Sequence, residues 1–315
     1  MFLSITFIIV ALILLYFGAS WLVKGSSALA LKAGVSPLVA GLTVVAFGTS
    51  SPEMVVGINT AIAGHGNIAV GNVIGSNIFN ICIILGISAI VAPLRIKMQL
   101  LKIDIPVLII TTIAFMIFFH DRQISRLEGS ILLSGIVLYT ILNIALARRE
   151  KTKEIIDEFD KSIPKSNMKW YYSAGMVVIG VGVLVAGSEL LVKGAVEVAR
   201  ILGVGETIIS LTIIAAGTSM PELASSIVAT LKKEYDIAIG NIIGSNIFNI
   251  LGIIGISSVI RPLSALAISN IDLYIMLGVT LLLLPFFRTK YTLTRDEGIF
   301  MVILYLIYLY YLWPK

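Results

Sequence analysis

The chain repeats itself. Residues 42–53, LTVVAFGTSSPE, return at 211–222 as LTIIAAGTSMPE, and residues 71–81, GNVIGSNIFNI, return at 240–250 as GNIIGSNIFNI, where only Val73 changes, to Ile242. Both pairs share an offset of 169 residues, which also carries Lys24-Gly25 onto Lys193-Gly194, Pro93-Leu94 onto Pro262-Leu263 and Glu128-Gly129 onto Glu297-Gly298. Such a constant register marks an internal duplication. What each copy contains restricts the fold further. A helix needs about 20 apolar residues to cross a bilayer. Ten runs of that kind are expected, at 2–23, 36–63, 69–93, 103–119, 128–147, 172–199, 205–231, 237–260, 270–287 and 297–313. Five fall in each copy. An odd number of crossings sends the second copy through the membrane upside down, and proteins so built hold their substrate near the midplane between the copies.

The composition agrees. The 315 residues are 58% hydrophobic and 13% charged, against roughly 45–50% and about 25% in soluble domains. The expected fold is an all-α integral membrane protein with ten transmembrane helices in two inverted-topology five-helix repeats. Its parts are a first repeat at 1–147, a hydrophilic linker at 148–170 and a second repeat at 171–315. The linker is too short to bury a core of its own. Phe2–Val23 is too long for the apolar region of a secretory signal and has no basic residues before it, so it reads as the first span. Of the 23 Lys and Arg, only Arg122, Arg126, Lys193, Arg200, Arg261 and Lys315 fall on the side of the termini. The excess on the other side places the linker in the cytoplasm and both termini outside the cell membrane. Net charge of +5 is spread over loops, without a basic cluster interleaved with aromatics, so nucleic acid is excluded as a partner. Cys82 is the single cysteine and lies in an apolar run, where it reads as packing. With two histidines, one cysteine, no HExxH and no GxSxG, the sequence argues against an enzyme.

Between Lys32 and Arg95 the only acidic or basic side chains are Glu53 and His65. A carboxylate in a membrane span faces the protein interior and marks a functional site. Glu53 and its copy Glu222 are therefore the leading candidates. If inversion brings them together, like charges repel unless a cation or a proton intervenes. Thr49 and Thr218 lie four residues before each Glu, on the same helix face, and Ser50 and Ser219 lie three before. Pro52 and Pro221 lack an N–H and break the helix at Gly48 and Gly217, which exposes carbonyls around Ala46 and Ala215. The second motif adds Ser76 with Asn80 and Ser245 with Asn249, each pair one turn apart. Asn72 and Asn77 read equally well as ligands or as polar contacts between helices. Two carboxylates among hydroxyls, amides and carbonyls form a hard-oxygen site suited to calcium, sodium or protons. Gly71-xxx-Gly75 and Gly240-xxx-Gly244 allow close helix approach. Asp104 and Asp272, near the starts of shorter helices, read as interfacial, and His65 as a turn residue.

The paired motifs GTSSPE/GNVIGSNIFNI and GTSMPE/GNIIGSNIFNI resemble the two repeats of the calcium/cation antiporter superfamily, over the whole chain and closest to its prokaryotic sodium/calcium exchanger branch. The resemblance implies a secondary antiporter that exchanges sodium for calcium by alternating access, its first and sixth helices sliding over the rest. Calcium and sodium are then transported substrates, and no resident cofactor is implied. It places the acidic ligands at Glu53 and Glu222, hydroxyl or backbone ligands at Thr49, Ser50, Thr218 and Ser219, carbonyl ligands at Ala46 and Ala215, and polar ligands at Ser76, Asn80, Ser245 and Asn249. Proton/calcium exchangers of the superfamily usually carry Gly-Asn-x-x-Glu at the first motif, so the Thr-Ser form here favours sodium. The alternatives are a proton- or potassium-coupled antiporter and, from a different class, a cation channel. Some relatives carry Asp where this chain has Asn249. Two carboxylates balance one calcium or two sodium ions, which leaves the stoichiometry open.

Overall fold

The computed structural model describes residues 2–149, 169–203, 215–288 and 291–312. They are almost entirely helical. In chain order the helices are α1 (Phe2–Ala33), α2 (Pro37–Thr49), α3 (Ser51–Ala63), α4 (Gly66–Val91), α5 (Leu100–Asp121), α6 (Arg126–Arg149), α7 (Trp170–Ile201), α8 (Ala215–Thr218), α9 (Met220–Leu231), α10 (Tyr235–Ile260), α11 (Asn270–Arg288) and α12 (Arg295–Leu312). Among the described residues α1, α4, α5, α6, α7, α10 and α11 are long and apolar enough to cross a membrane, and α2 with α3, bent by 48°, makes an eighth span. The chain is a multi-pass membrane protein. The expected seventh span begins on residues outside the described ones, and α12 opens with Arg295, Asp296 and Glu297, which puts heavy charge into only 18 residues. The expected linker likewise falls almost wholly outside the described residues.

Two features depart from the sequence expectation. The first helix does not stop at Val23 but runs to Ala33, because Ser26 and Ser27 in its polar end are buried against the protein rather than left to the bilayer. Asp104, expected at the interface, is enclosed by protein. It is fully buried and accepts a 2.9 Å hydrogen bond from the Tyr139 hydroxyl of α6. Asp272 matches the expectation better: at the start of α11 it is half-buried, accepts from the Ser269 N–H at 3.3 Å and from Tyr308 at 2.9 Å.

α1 and α7 are each 32 residues long, about 48 Å at 1.5 Å per residue. They pack antiparallel along a seam of small residues. A Cβ on Gly25 would lie 2.7 Å from the Ser173 carbonyl oxygen, and one on Gly194 would lie 2.8 Å from that of Ser4. The 169-residue shift converts one of these contacts into the other. The same exchange governs two short ribbons. β1 (Leu94–Arg95) pairs with β4 (Thr292–Leu293), and β2 (Gln123–Ile124) pairs with β3 (Leu263–Ser264), so each half lends a strand to the other at both places.

The core is built on α4 and α10. In α10, 94% of the apolar stretch is buried, against 22% in α7. Ile239, Ile242, Ile243, Ile247 and Ile250 fill the middle with Ile74, Ile78 and Ile81. Gly240 and Gly244 make the close approach expected of them. Their Cβ positions fall 2.7 Å and 2.6 Å from the carbonyl oxygens of Leu38 and Leu42, so α2 lies against the bare backbone of α10. At the end of α9, Lys232 reaches the Ser20 hydroxyl at 2.6 Å. Burial and nearby Lys24 lower its pKa, while burial and Asp236 raise that of Glu234.

Candidate functional site

Both acidic motifs sit at a helix break. The chain leaves α2 at Ser50 (φ −81°, ψ 6°) and α8 at Ser219 (φ −90°, ψ 8°), the same bridge conformation in each copy. The cause is local: Pro52 and Pro221 occupy the first turn of the following helix, where a missing N–H costs nothing. Each break puts its Glu in that first turn, at the positive end of a helix dipole. A wide π-helical turn precedes the first break at Gly41–Val45, and matched π turns start at Asn80 and at Asn249. Extra residues of this kind re-aim side chains and gather at functional sites.

The breaks meet. Ser50 donates to Glu222 Oε1 at 2.8 Å, and Ser219 donates to Glu53 Oε1 at 3.0 Å, so each copy's serine holds the other copy's carboxylate. Ser219 also stands 3.2 Å from the Ser76 hydroxyl, which brings α4 into the site. Thr49 Oγ1 lies 3.0 Å from Asn241 Oδ1 and 3.1 Å from the Val45 carbonyl. Asn241 in turn donates to Ser225 and Ser226, both at 2.9 Å. Thr218 lies 3.5 Å from Asn72 Oδ1, the looser counterpart. The Ala46 carbonyl accepts the Ser50 N–H at 3.0 Å. The carbonyl that Pro221 frees, Gly217, is taken by the Ser188 hydroxyl of α7 at 2.5 Å. Ala215 opens α8.

What the hydrogen bonds leave over is more telling. Glu53 Oε2, Glu222 Oε2, Asn80 Oδ1, Asn249 Oδ1 and the Ser245 hydroxyl are buried without a hydrogen-bond partner. Buried polar atoms are normally satisfied. Here five oxygens, two of them from carboxylates, are not. Among the described residues no Lys or Arg of these helices stands near the two acids to neutralise them: the ion pair between Lys97 and Asp236, at 2.6 Å, joins the 92–99 loop to the start of α10. The set is hard, oxygen-only and of formal charge −2, which fits calcium or sodium. Glu53, Glu222, Ser50, Ser219, Thr49, Asn80 and Asn249 are each at most 1% exposed. The structure thus brings Glu53, Glu222, Ser50, Ser219 and Ser76 into one hydrogen-bonded group. Thr49 is joined to it through Asn241, whose amide also donates to the Glu222 backbone carbonyl at 3.4 Å, while Asn80 and Asn249 lie in an amide cluster with Asn77 and Asn246 on α4 and α10. A cavity of about 550 Å³ beside α2 is lined by Leu42, Phe47, Val177 and Phe248 and contains neither acid. Sequence reasoning did not reach Ser188, Ser225 or Ser226. Ser188 has no hydroxyl counterpart in the first copy, where Ala19 stands, so the repeat could not flag it.

The family model for sodium/calcium exchanger proteins matches residues 3–145 and again 172–313. The chain belongs to the sodium/calcium exchanger family. Within this family it is 30% identical to the sodium/calcium exchanger MaX1 of Methanosarcina acetivorans, over 96% of each chain. It is also 39% identical to the protein CaxA of Alkalimonas amylolytica, over 90% of this chain and 89% of that one. A solved structure of the sodium–calcium exchanger NCX_Mj superposes with a TM-score of 0.85 and 32% identity, covering 99% of both chains. These exchanger-family relatives are transporters, and the fold they share is that of a cation antiporter.

Proposed function

We propose that the chain is a sodium/calcium antiporter of the cell membrane, which binds either ion between Glu53 and Glu222 and releases it by alternating access. The observation that carries this reading is the pair of reciprocally held carboxylates, each with one oxygen bonded by the opposite copy's serine and one left over. Thr49, Thr218, Ser50, Ser219, Ser76, Ser245, Asn80, Asn249 and the carbonyls of Ala46 and Ala215 complete the ligand set. The ten helices form two inverted five-helix repeats, 1–147 and 171–315, joined by a cytoplasmic linker at 148–170, with both termini outside. Reciprocal packing of α1 on α7 and the exchanged ribbons support that arrangement. The names of MaX1 and NCX_Mj support sodium as the coupling ion.

The test is calcium-45 uptake into proteoliposomes. Uptake is expected when the lumen holds sodium and the bath does not, and to be absent with a potassium or proton gradient alone. Uptake driven by potassium or protons would keep the site and replace the coupling ion. Calcium current without any counter-ion gradient would make the protein a channel. A second expectation concerns charge: Asn249→Asp adds a third carboxyl to a site of two, so the sodium and pH dependence of uptake should both shift. Profiles that superpose on those of the unmodified protein would place Asn249 outside the ion site.

A further inference from the structure

The motif GSNIFN contains two asparagines, and the structure uses them differently. In the first copy Asn77 has both polar atoms engaged: Oδ1 accepts from Asn249 Nδ2 at 3.0 Å, and Nδ2 donates to the backbone carbonyl of Asn246 at 3.3 Å. Asn77 is therefore tied through both polar atoms to the opposite copy. In the second copy Asn246 Oδ1 accepts from Asn80 Nδ2 at 3.2 Å. All four side chains are at most 2% exposed. The consequence falls on the other asparagine of each motif. With its amide nitrogen held, Asn249 must present Oδ1, and so must Asn80, and these are the two amide oxygens left buried without a partner.

An amide can rotate by half a turn and exchange its oxygen for its nitrogen with little change in shape. For a cation the two states are opposites: one supplies a ligand, the other an N–H₂ donor. We infer that Asn77 and Asn246 are positioning residues that lock Asn249 and Asn80, across the interface between the copies, in the orientation that offers oxygen to the ion. This inference rests on the reading of Asn80 and Asn249 as ligands. The two locks are unequal. Asn77 is itself anchored to a backbone carbonyl, which cannot rotate, whereas Asn246 Nδ2 is buried without a partner. The hold on Asn249 is the firmer of the two.

A carboxylate has two equivalent oxygens and no donor, so it needs no such lock. That difference supplies the test. Asn77→Ala is made in the unmodified protein and in an Asn249→Asp background, and the KM for calcium and kcat are measured in proteoliposomes, with Asn249→Ala alongside. Removing a residue that orients a metal ligand typically weakens affinity about 10–100-fold. Asn77→Ala is expected to raise KM about tenfold in the unmodified protein, with kcat little changed, and to leave KM within about twofold in the Asp background. An equal rise in both backgrounds would overturn the inference and leave Asn77 as a packing contact. An unchanged KM in Asn249→Ala would instead remove Asn249 from the site, and the inference with it. Should Asn77→Ala fail to fold, Asn246→Ala in the unmodified and Asn80→Asp backgrounds asks the same question, with a smaller effect expected.

Discussion

Glu53→Gln and Glu222→Gln are each expected to cut calcium uptake by at least about 100-fold, the upper end of what loss of a mere supporting group costs a metal site. The protein should nevertheless fold. Gln has nearly the same volume as Glu, and its carbonyl can still accept from Ser219 or Ser50, whose hydroxyls lie 3.0 Å and 2.8 Å from the native carboxylates. What disappears is half the site's negative charge. Because a buried ion is expensive to hold in a membrane interior, each variant should melt at or above the temperature of the unmodified protein. The measurement is uptake in proteoliposomes beside a thermal melt in detergent. Full uptake by either variant would free that residue from any ligand role, and a lowered melting temperature would make it structural.

The second large effect is on packing. Gly244→Ala and Gly182→Ala are the same change, each inside a long helix, and they should have opposite signs. Ala is intrinsically better than Gly in a helix by about 0.5–1 kcal/mol. A Cβ added at Gly182 would meet nothing within 4 Å among the described residues, so Gly182→Ala should realise that gain. At Gly244 the new methyl would sit 2.6 Å from the Leu42 carbonyl oxygen, 2.8 Å from its Cα and 2.9 Å from the Ala46 side chain. Backbone cannot step aside as a side chain can. Overpacking of this kind costs about 1–3 kcal/mol, and it falls on the π turn of Gly41–Val45 that leads into Ala46 and Thr49. Thermal melts should therefore move apart, Gly182→Ala upward and Gly244→Ala downward, and only Gly244→Ala should lose transport. Equal melting temperatures would mean that α2 does not press on α10 as closely as described.

Much of the site can be read from the sequence because duplication writes both acids and the residues flanking them twice. Glu53 and Glu222, with their serines, threonines and prolines, stand out by position, and the structure brings both breaks together. Three things cannot be read. Helix ends are hidden where tertiary contacts replace the bilayer: α1 continues past Val23 through Ser26 and Ser27, which are buried by protein, to an exposed last turn at Leu31–Ala33. Asp104 looks interfacial by its place near a helix start, and only the fold supplies the Tyr139 hydroxyl that lets it go inside. The division of labour between Asn77 and Asn80 is invisible in a motif, since both are asparagines and their roles depend on which neighbour across the interface takes the amide nitrogen.

The copies are not perfect images of each other. Ser188 ties α7 to the turn at Gly217, while Ala19, its counterpart on α1, has no hydroxyl to offer Gly48. Asn77 is anchored and Asn246 is not. Under the alternating access proposed above, two halves cut to one plan but fastened differently are expected to open at different cost. The ion gradients still decide which way net exchange runs. Under the same mechanism, an empty carrier with unequally fastened halves is expected to rest more often open to one face of the membrane than to the other, and the two faces are expected to differ in the ion concentration at which they half-saturate. Such sidedness would have its source in the chain itself.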